Sequence, residues 1–229
     1  MLVYFRQDIV RIVRAFVLGL LVVKDGDGRP RVSRDDQDYR MGWLIIIGSI
    51  PIVVLGVLLQ DVIETTFRSL WIVAIDLVVF GVLLGIADRI GRKRKTIDDL
   101  TVRDGVLYGL AQSLALVPGV SRSGGTIGAG LLLGYTREAA ARYSFLLAMP
   151  AVFGSGLYEL AKTVRSPGAE AFSAGQTLAA TVVAFLVGLV VIAFFLRYLS
   201  RGSFLPFVAY RILIGALVIG LLMSGLVQP

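Results

Sequence analysis

Long apolar runs broken by short, mostly basic segments organise this chain. Uncharged stretches cover residues 41–60, 143–158, 171–196 and 212–229, and a fifth at 70–87 is interrupted only by Asp76. Each approaches or exceeds the roughly 20 residues that cross a hydrocarbon core as a helix. The pattern predicts an all-α, polytopic integral membrane protein with a single membrane domain over 1–229. Its spans are expected at 41–60, 70–87, 143–161, 178–199 and 208–226, with Asp76 facing the bundle interior. Residues 1–23 read differently, because Arg11 and Arg14 stand three apart among Ile9, Val10, Ile12, Val13, Phe16 and Val17. That spacing predicts part of a span and an amphipathic helix at the interface.

The middle of the chain holds two short apolar segments, 106–117 and 127–135, each about half a span at roughly 1.5 Å per residue. They form either a re-entrant hairpin over 106–135 or one broken helix that crosses. Basic residues choose between these. Lys24, Arg29, Arg31, Arg34 and Arg40 precede the first span, and Arg89, Arg92, Lys93, Arg94, Lys95 and Arg103 follow the second, whereas Asp61, Glu64 and Arg68 lie between. The positive-inside rule places both basic segments in the cytoplasm and residues 60–70 outside. A hairpin then puts Arg137, Arg142, Arg197 and Arg201 inside, with Lys162 and Arg165 outside, and a crossing helix reverses that balance. The hairpin is the favoured reading. A faint repeat, Ile50-Pro51 with Gly56 and Met149-Pro150 with Gly154 and Gly156, suits duplicated membrane halves but is equally compatible with chance.

Composition agrees with a membrane protein and removes several chemistries. The 229 residues are 56% hydrophobic and 17% charged, with a mean hydropathy of +0.81. Cysteine and histidine are both absent, which excludes thiol chemistry, disulfides and the usual zinc sites. A bound metal would need oxygen ligands. The net charge of +7 lies beside apolar spans without aromatic interleaving, so it fits orientation in a membrane rather than nucleic-acid binding. Arg6, Asp8, Arg11 and Arg14 interrupt the first apolar stretch before a signal-peptide core forms.

Between the two half-spans stands Pro118-Gly119-Val120-Ser121-Arg122-Ser123-Gly124-Gly125-Thr126. Glycines, three hydroxyls, a guanidinium and the start of a helix together suit a phosphate or diphosphate. Arg122 is the leading candidate, since a guanidinium at membrane depth costs several kcal/mol unless compensated. The alternative is that it snorkels or pairs with Asp76. Ser121, Ser123 and Thr126 are candidate donors or simply small packing residues. Gly119, Gly124 and Gly125 allow close ligand approach, helix contact, or both. Arg211 and Tyr210 read as interfacial anchors, Gln112 as a hydrogen-bonding residue across the bundle, and Glu159 and Asp88 as solvated. Phe145, Phe153, Phe194 and Phe195 read as lipid or core contacts rather than a prenyl groove.

The loop resembles the Pro-Gly-x-Ser-Arg-Ser-x-x-Thr signature of the undecaprenyl-diphosphate phosphatase family, known for bacitracin resistance. Gly109-Leu110-Ala111-Gln112, Tyr143-Ser144-Phe145-Leu146-Leu147-Ala148-Met149-Pro150, Ile50-Pro51, Phe207 and Tyr210-Arg211 are similar to that family too. The resemblance implies an inverted-repeat bundle with re-entrant hairpins in the bacterial cell membrane. It implies hydrolysis of undecaprenyl diphosphate to the monophosphate at the outer face, recycling the carrier for peptidoglycan and envelope synthesis, with a divalent cation (Mg²⁺ or Ca²⁺). It also implies that Arg122 clamps the diphosphate while Ser121, Ser123 and Thr126 donate to its oxygens, with Gly119, Gly124 and Gly125 around it. The expected partners are the undecaprenyl diphosphate substrate and membrane lipids, without nucleic acid, and a homodimer is compatible.

One departure is as informative. The family's earlier motif, two acidic or amide residues four apart followed by a Pro-Val-Ser-Ser-Thr-Gly-His type segment, has no counterpart here. The expectation is therefore a chain lacking its first hairpin, through a misplaced start or a real truncation, with reduced or no activity. A prenyl-phosphate carrier and a non-catalytic membrane subunit are the alternative functions.

Overall fold

The computed structural model describes residues 1–24, 26–27, 31–64, 69–165, 174–199 and 202–228. Arg29, Arg68 and Arg201, and the side chains of Asp61, Glu64, Lys162 and Arg165, lie outside the described residues, and so does that part of the orientation argument. The described elements are helices, in the order α1 Arg6–Leu20, α2 Gln37–Leu58, α3 Gln60–Glu64, α4 Leu70–Ile90, α5 Val102–Ser113, α6 Arg122–Leu132, α7 Arg137–Arg165, α8 Ala174–Leu199 and α9 Leu205–Met223. Five are long and apolar enough to cross a membrane, at Gln37–Leu58, Leu70–Ile90, Arg137–Ala161, Gly175–Leu199 and Leu205–Met223.

Caps rather than hydropathy set the helix starts. The Asp36 carboxylate accepts from the N–H groups of Asp38 and Tyr39, so α2 begins before its apolar run. Ser69 caps α4 through Trp71 N, and Thr101 with Asp104 forms a capping box on α5. Pro51 lies inside α2 and Pro150 inside α7. The first helix, α1, is too short to span at about 1.5 Å per residue. It packs Phe16 on Tyr39 and Trp43 of α2, with ring centroids 5.8 and 5.3 Å apart.

Small residues let the helices approach. A Cβ on Gly109 would run into the backbone of Gly48, so α5 and α2 touch main chain to main chain. Behind them, Tyr108, Tyr135 and Tyr143 form a buried aromatic cluster, with Tyr108 edge-on to the other two at 6.0 and 4.8 Å. The Tyr143 hydroxyl donates to Leu44 O at 2.9 Å and ties α7 to α2.

Helices α5 and α6 form an antiparallel hairpin, because Tyr108 lies against Gly130 and Ala111 against Gly125. Its two ends meet: Arg94 N and Lys95 N donate to Gly134 O, and Thr136 N donates to Lys95 O. The segment thus leaves and returns at one end of the bundle.

Asp88 gathers that same end. It is buried, accepts from Arg137 through both oxygens at 2.6 and 3.1 Å, and accepts from Phe204 N at 3.1 Å. The end of α4, the start of α7 and the start of α9 therefore meet beside the hairpin base, where Arg40 also reaches Leu100 O. This corrects the expectation of a solvated Asp88. Arg40, Lys93, Arg94, Lys95 and Arg137 thus share one end of the bundle. By contrast, residues 152–161 of α7 and 175–187 of α8 are exposed along their whole length.

Candidate functional site

The hairpin tip is the 118–126 loop, and its backbone is unusual at two places. Gly119 has φ +97°, and a Cβ there would clash with Val73 O and lie 2.9 Å from the Asp76 Cβ. Glycine is what this approach requires. Ser121 has φ +67° and ψ 116°, a conformation that costs a non-glycine residue about 1–3 kcal/mol. That position makes Ser121 the cap of α6, its hydroxyl accepting from Gly124 N at 3.3 Å and its carbonyl from Gly125 N at 2.9 Å. The N–H groups of Arg122 and Ser123 are then left open at a helix start, where an anion is favoured.

The tip also lies deep. It packs against Val73 and Asp76 of α4, roughly 20 Å along that helix from its Ile90 end at about 1.5 Å per residue. The hairpin base sits at that end, so the tip and the base are separated by most of the length of α4.

Two cavities flank the loop. One of about 430 Å³ is lined by Ser121, Arg122, Ser123 and Ser144 together with apolar residues that include Phe145 and Val152. The other, of about 200 Å³, holds Ser121, Ser123, Gly124 and Arg211 against Leu84, Ile127, Phe195, Phe204 and Phe207. Ser121 and Ser123, with hydroxyls 3.5 Å apart, stand between them. Arg122 lines the larger cavity, its Nε buried without a hydrogen-bond partner. The pairing with Asp76 considered from sequence does not form.

Thr126 is placed differently from its fellow hydroxyls. It is fully buried and lines neither cavity. Its hydroxyl lies 2.8 Å from Arg122 O and 3.3 Å from Ser123 O and is in close contact with the Ser144 hydroxyl. It holds the first turn of α6, and with it Arg122, against α7. Gly119 and Gly124 line one cavity each, while Gly125 faces Ala111 O and is a helix contact.

Sequence reasoning undervalued Arg211. It is no interfacial anchor: from α9 its Nη2 donates to Gly119 O at 2.7 Å, Val120 O at 3.1 Å and Asp76 O at 3.4 Å. Its Nε, like Arg122 Nε and Asp76 Oδ2, is buried without a partner. Asp76 thus faces inward, beside the loop, as expected. The available signal was an arginine placed six residues into an otherwise apolar helix. Gln112 is fully buried, and neither end of its amide finds the cross-bundle bond expected of it. Tyr210, Glu159, Phe153 and Phe194 are exposed, whereas Phe145 and Phe195 pack against the core.

The hairpin base has the opposite electrostatics. Asp104 accepts from the Tyr135 hydroxyl at 2.6 Å and from Thr101 Oγ1 at 2.8 Å, with Lys95 Nζ 3.7 Å away. Burial works to raise its pKa, but the bonds from Tyr135 and Thr101 and the Lys95 charge together hold it below the usual carboxylate value. Burial and Asp104 push the Tyr135 hydroxyl up, which keeps it a donor.

Among the described residues no group of three or more His, Cys, Asp or Glu side chains is placed to hold a metal ion, and the carboxylate of Asp76 lies beside the loop.

A polytopic helical membrane protein with a polar, glycine-rich loop at the tip of an internal hairpin is the class these features define. The model for bacitracin resistance protein BacA matches residues 1–217, and the chain belongs to that family. It is 57% identical over 231 residues to the undecaprenyl-diphosphatase of Micrococcus luteus, covering 99% of this chain and 79% of that protein. It is 54% identical to the undecaprenyl-diphosphatase of Renibacterium salmoninarum, again over 99% of the chain and 79% of the relative. It is 52% identical to undecaprenyl-diphosphatase 2 of Agrobacterium fabrum, over 99% of the chain and 78% of the relative. The chain is a multi-pass protein of the bacterial membrane.

Proposed function

We infer that the protein hydrolyses undecaprenyl diphosphate, with water, to undecaprenyl phosphate and inorganic phosphate. The observation that carries this is Arg122, an unpaired guanidinium held at the N-terminus of α6 on the wall of a cavity, inside an apolar bundle. In this reading the Arg122 fork neutralises the diphosphate, while the open N–H groups of α6 and the Ser121 and Ser123 hydroxyls donate to its oxygens. Thr126 and Ser144 position Arg122, and Arg211 fixes the carbonyls of Gly119 and Val120 so that they turn away from the anion. Family membership favours this over a carrier or a non-catalytic subunit.

The same reading orients the chain. The shared basic end is cytoplasmic by the positive-inside rule, the hairpin is re-entrant from that side, and its tip reaches past the midplane toward the outer face. Access from outside and entry of the hairpin from inside are then compatible.

Phosphate release from undecaprenyl diphosphate in detergent micelles tests the function. Release by the unaltered protein and its loss in Arg122→Ala are expected. Saturable binding of the diphosphate without any release would overturn the reading in favour of a carrier.

A further inference from the structure

The smaller cavity has a lining of two chemical kinds. Ser121, Ser123, Gly124, Tyr210 and Arg211 supply its polar lining; Leu84, Ile127, Phe195, Phe204 and Phe207 supply its apolar lining. The three phenylalanines hold one another, with centroids 6.2 Å apart for Phe195 and Phe204, 5.1 Å for Phe195 and Phe207, and 6.3 Å for Phe204 and Phe207. Phe204 is almost fully buried, and Asp88 pins its backbone N–H. This wall is therefore a fixed part of the core, unlike Phe194, which stands 65% exposed on the lipid side of α8.

The aromatic wall is also continuous with the larger cavity. Phe145, which lines that cavity, meets Phe195 edge-on at 6.0 Å, and Ser121 and Ser123 border both spaces. A ligand whose phosphates occupy the Arg122 side thus has an apolar recess across Ser121 and Ser123 from it. About 200 Å³ is less than the roughly 300–1,000 Å³ of a pocket that encloses a drug-sized ligand. It suits a short branched hydrocarbon stub, not a long chain.

We propose that this recess between α4, α6, α8 and α9 seats the phosphate-proximal isoprene units of a prenyl diphosphate. The rest of the chain lies among lipid. The inference rests on the prenyl diphosphate reading above and deepens it. Anchoring of the head at Arg122 brings the branched methyl groups against the faces of Phe195, Phe204 and Phe207. A phospholipid acyl chain lacks that anchor and is not retained.

The test is photolabelling of the unaltered protein with a prenyl diphosphate that carries a diazirine on its first isoprene unit, followed by peptide mapping and a phosphate-release assay on the same preparation. Labels on Phe195, Phe204, Phe207 or Ile127 that excess undecaprenyl diphosphate displaces, and phosphatidylglycerol does not, are expected. Labels confined to Phe145, Ala148 and Val152 or to exposed positions of α8 overturn the proposal, as does the absence of displaceable labelling. If phosphate is released but the labels lie elsewhere, this inference alone fails; if the label maps here but nothing is released, the hydrolytic reading fails. Ile127→Phe, which fills the recess, is expected to raise KM for undecaprenyl diphosphate about 10-fold or more with little change in kcat. An unchanged KM counts against the recess.

Discussion

The base and the tip of one hairpin solve opposite problems. At the base, Asp104 is buried yet surrounded by donors from Tyr135, Thr101 and Lys95. At the tip, Arg122 Nε, Arg211 Nε and Asp76 Oδ2 are buried with nothing to bond. Leaving a buried charged donor unpaired costs more than an ordinary hydrogen bond returns. The contrast separates polar groups at the base, which fasten the hairpin, from groups at the tip that the proposed substrate would meet. Even the tip is not uniform, since Thr126 belongs with the fasteners although it sits within the loop.

The comparison is broken most severely at Arg122. Arg122→Ala is expected to lower kcat/KM for undecaprenyl diphosphate by about 10²–10³-fold or more, as for loss of a donor to developing charge, with unfolding temperature unchanged or raised. Arg122→Lys keeps the charge but not the planar fork, and is expected to recover only part of the activity. A large fall in unfolding temperature without loss of turnover would move Arg122 into the fastening group.

Arg211 comes next, because it does both jobs. Arg211→Met removes a charged donor whose two Nη2 protons are shared among the Gly119, Val120 and Asp76 carbonyls, with such bonds worth roughly 1.5–3 kcal/mol each in other settings, so both unfolding temperature in micelles and phosphate release should fall. If only stability falls, Arg211 is a tether alone.

At the base the expected effects are on stability. Asp104→Asn or Tyr135→Phe should destabilise by about 1–3 kcal/mol while leaving KM unchanged. The sign with pH follows from the lowered pKa of Asp104. Its contribution is complete above the ordinary carboxylate value that it takes when unfolded, and is lost as pH falls through the lower folded value. Unfolding temperature should therefore drop on acidification in the unaltered protein, and less steeply in Asp104→Asn.

The smallest stability effect is expected at Ser121. Ser121→Gly relieves the positive φ, worth about 1–2 kcal/mol for an L-residue, and loses a few tenths of a kcal/mol of capping. Unfolding temperature should hold or rise slightly while phosphate release falls, which would show that the strain serves the hydroxyl.

Part of this division was legible in the sequence. The apolar runs announce five long helices because hydrocarbon length fixes their size, and the Pro118-to-Thr126 string announces an anion loop because its chemistry is local. Arg211 and Asp88 were misread for one shared reason. Both stand near the end of an apolar run, where a charge ordinarily reaches water. Only tertiary packing reveals that α4 and α9 bury them against the hairpin. The burial of Thr126 was not legible, because a motif records which hydroxyls are near Arg122 and not which of them face a cavity. The missed cross-bundle bond of Gln112 has the same origin, since spacing names a face of α5 but not the partner opposite.

In the orientation proposed above, the depth of the tip has an electrical consequence. A head group that enters from the face opposite the basic end crosses about a third of the hydrocarbon thickness to reach Gly119, whereas one from the basic face crosses about two thirds. The transmembrane potential does about 2.3 kcal/mol of work per unit charge per 100 mV over the full thickness. Under an inside-negative potential, seating an anion from outside costs about 0.8 kcal/mol per charge per 100 mV. Substrate affinity in energised vesicles should thus weaken modestly with voltage, by an amount that reports how far the hairpin reaches.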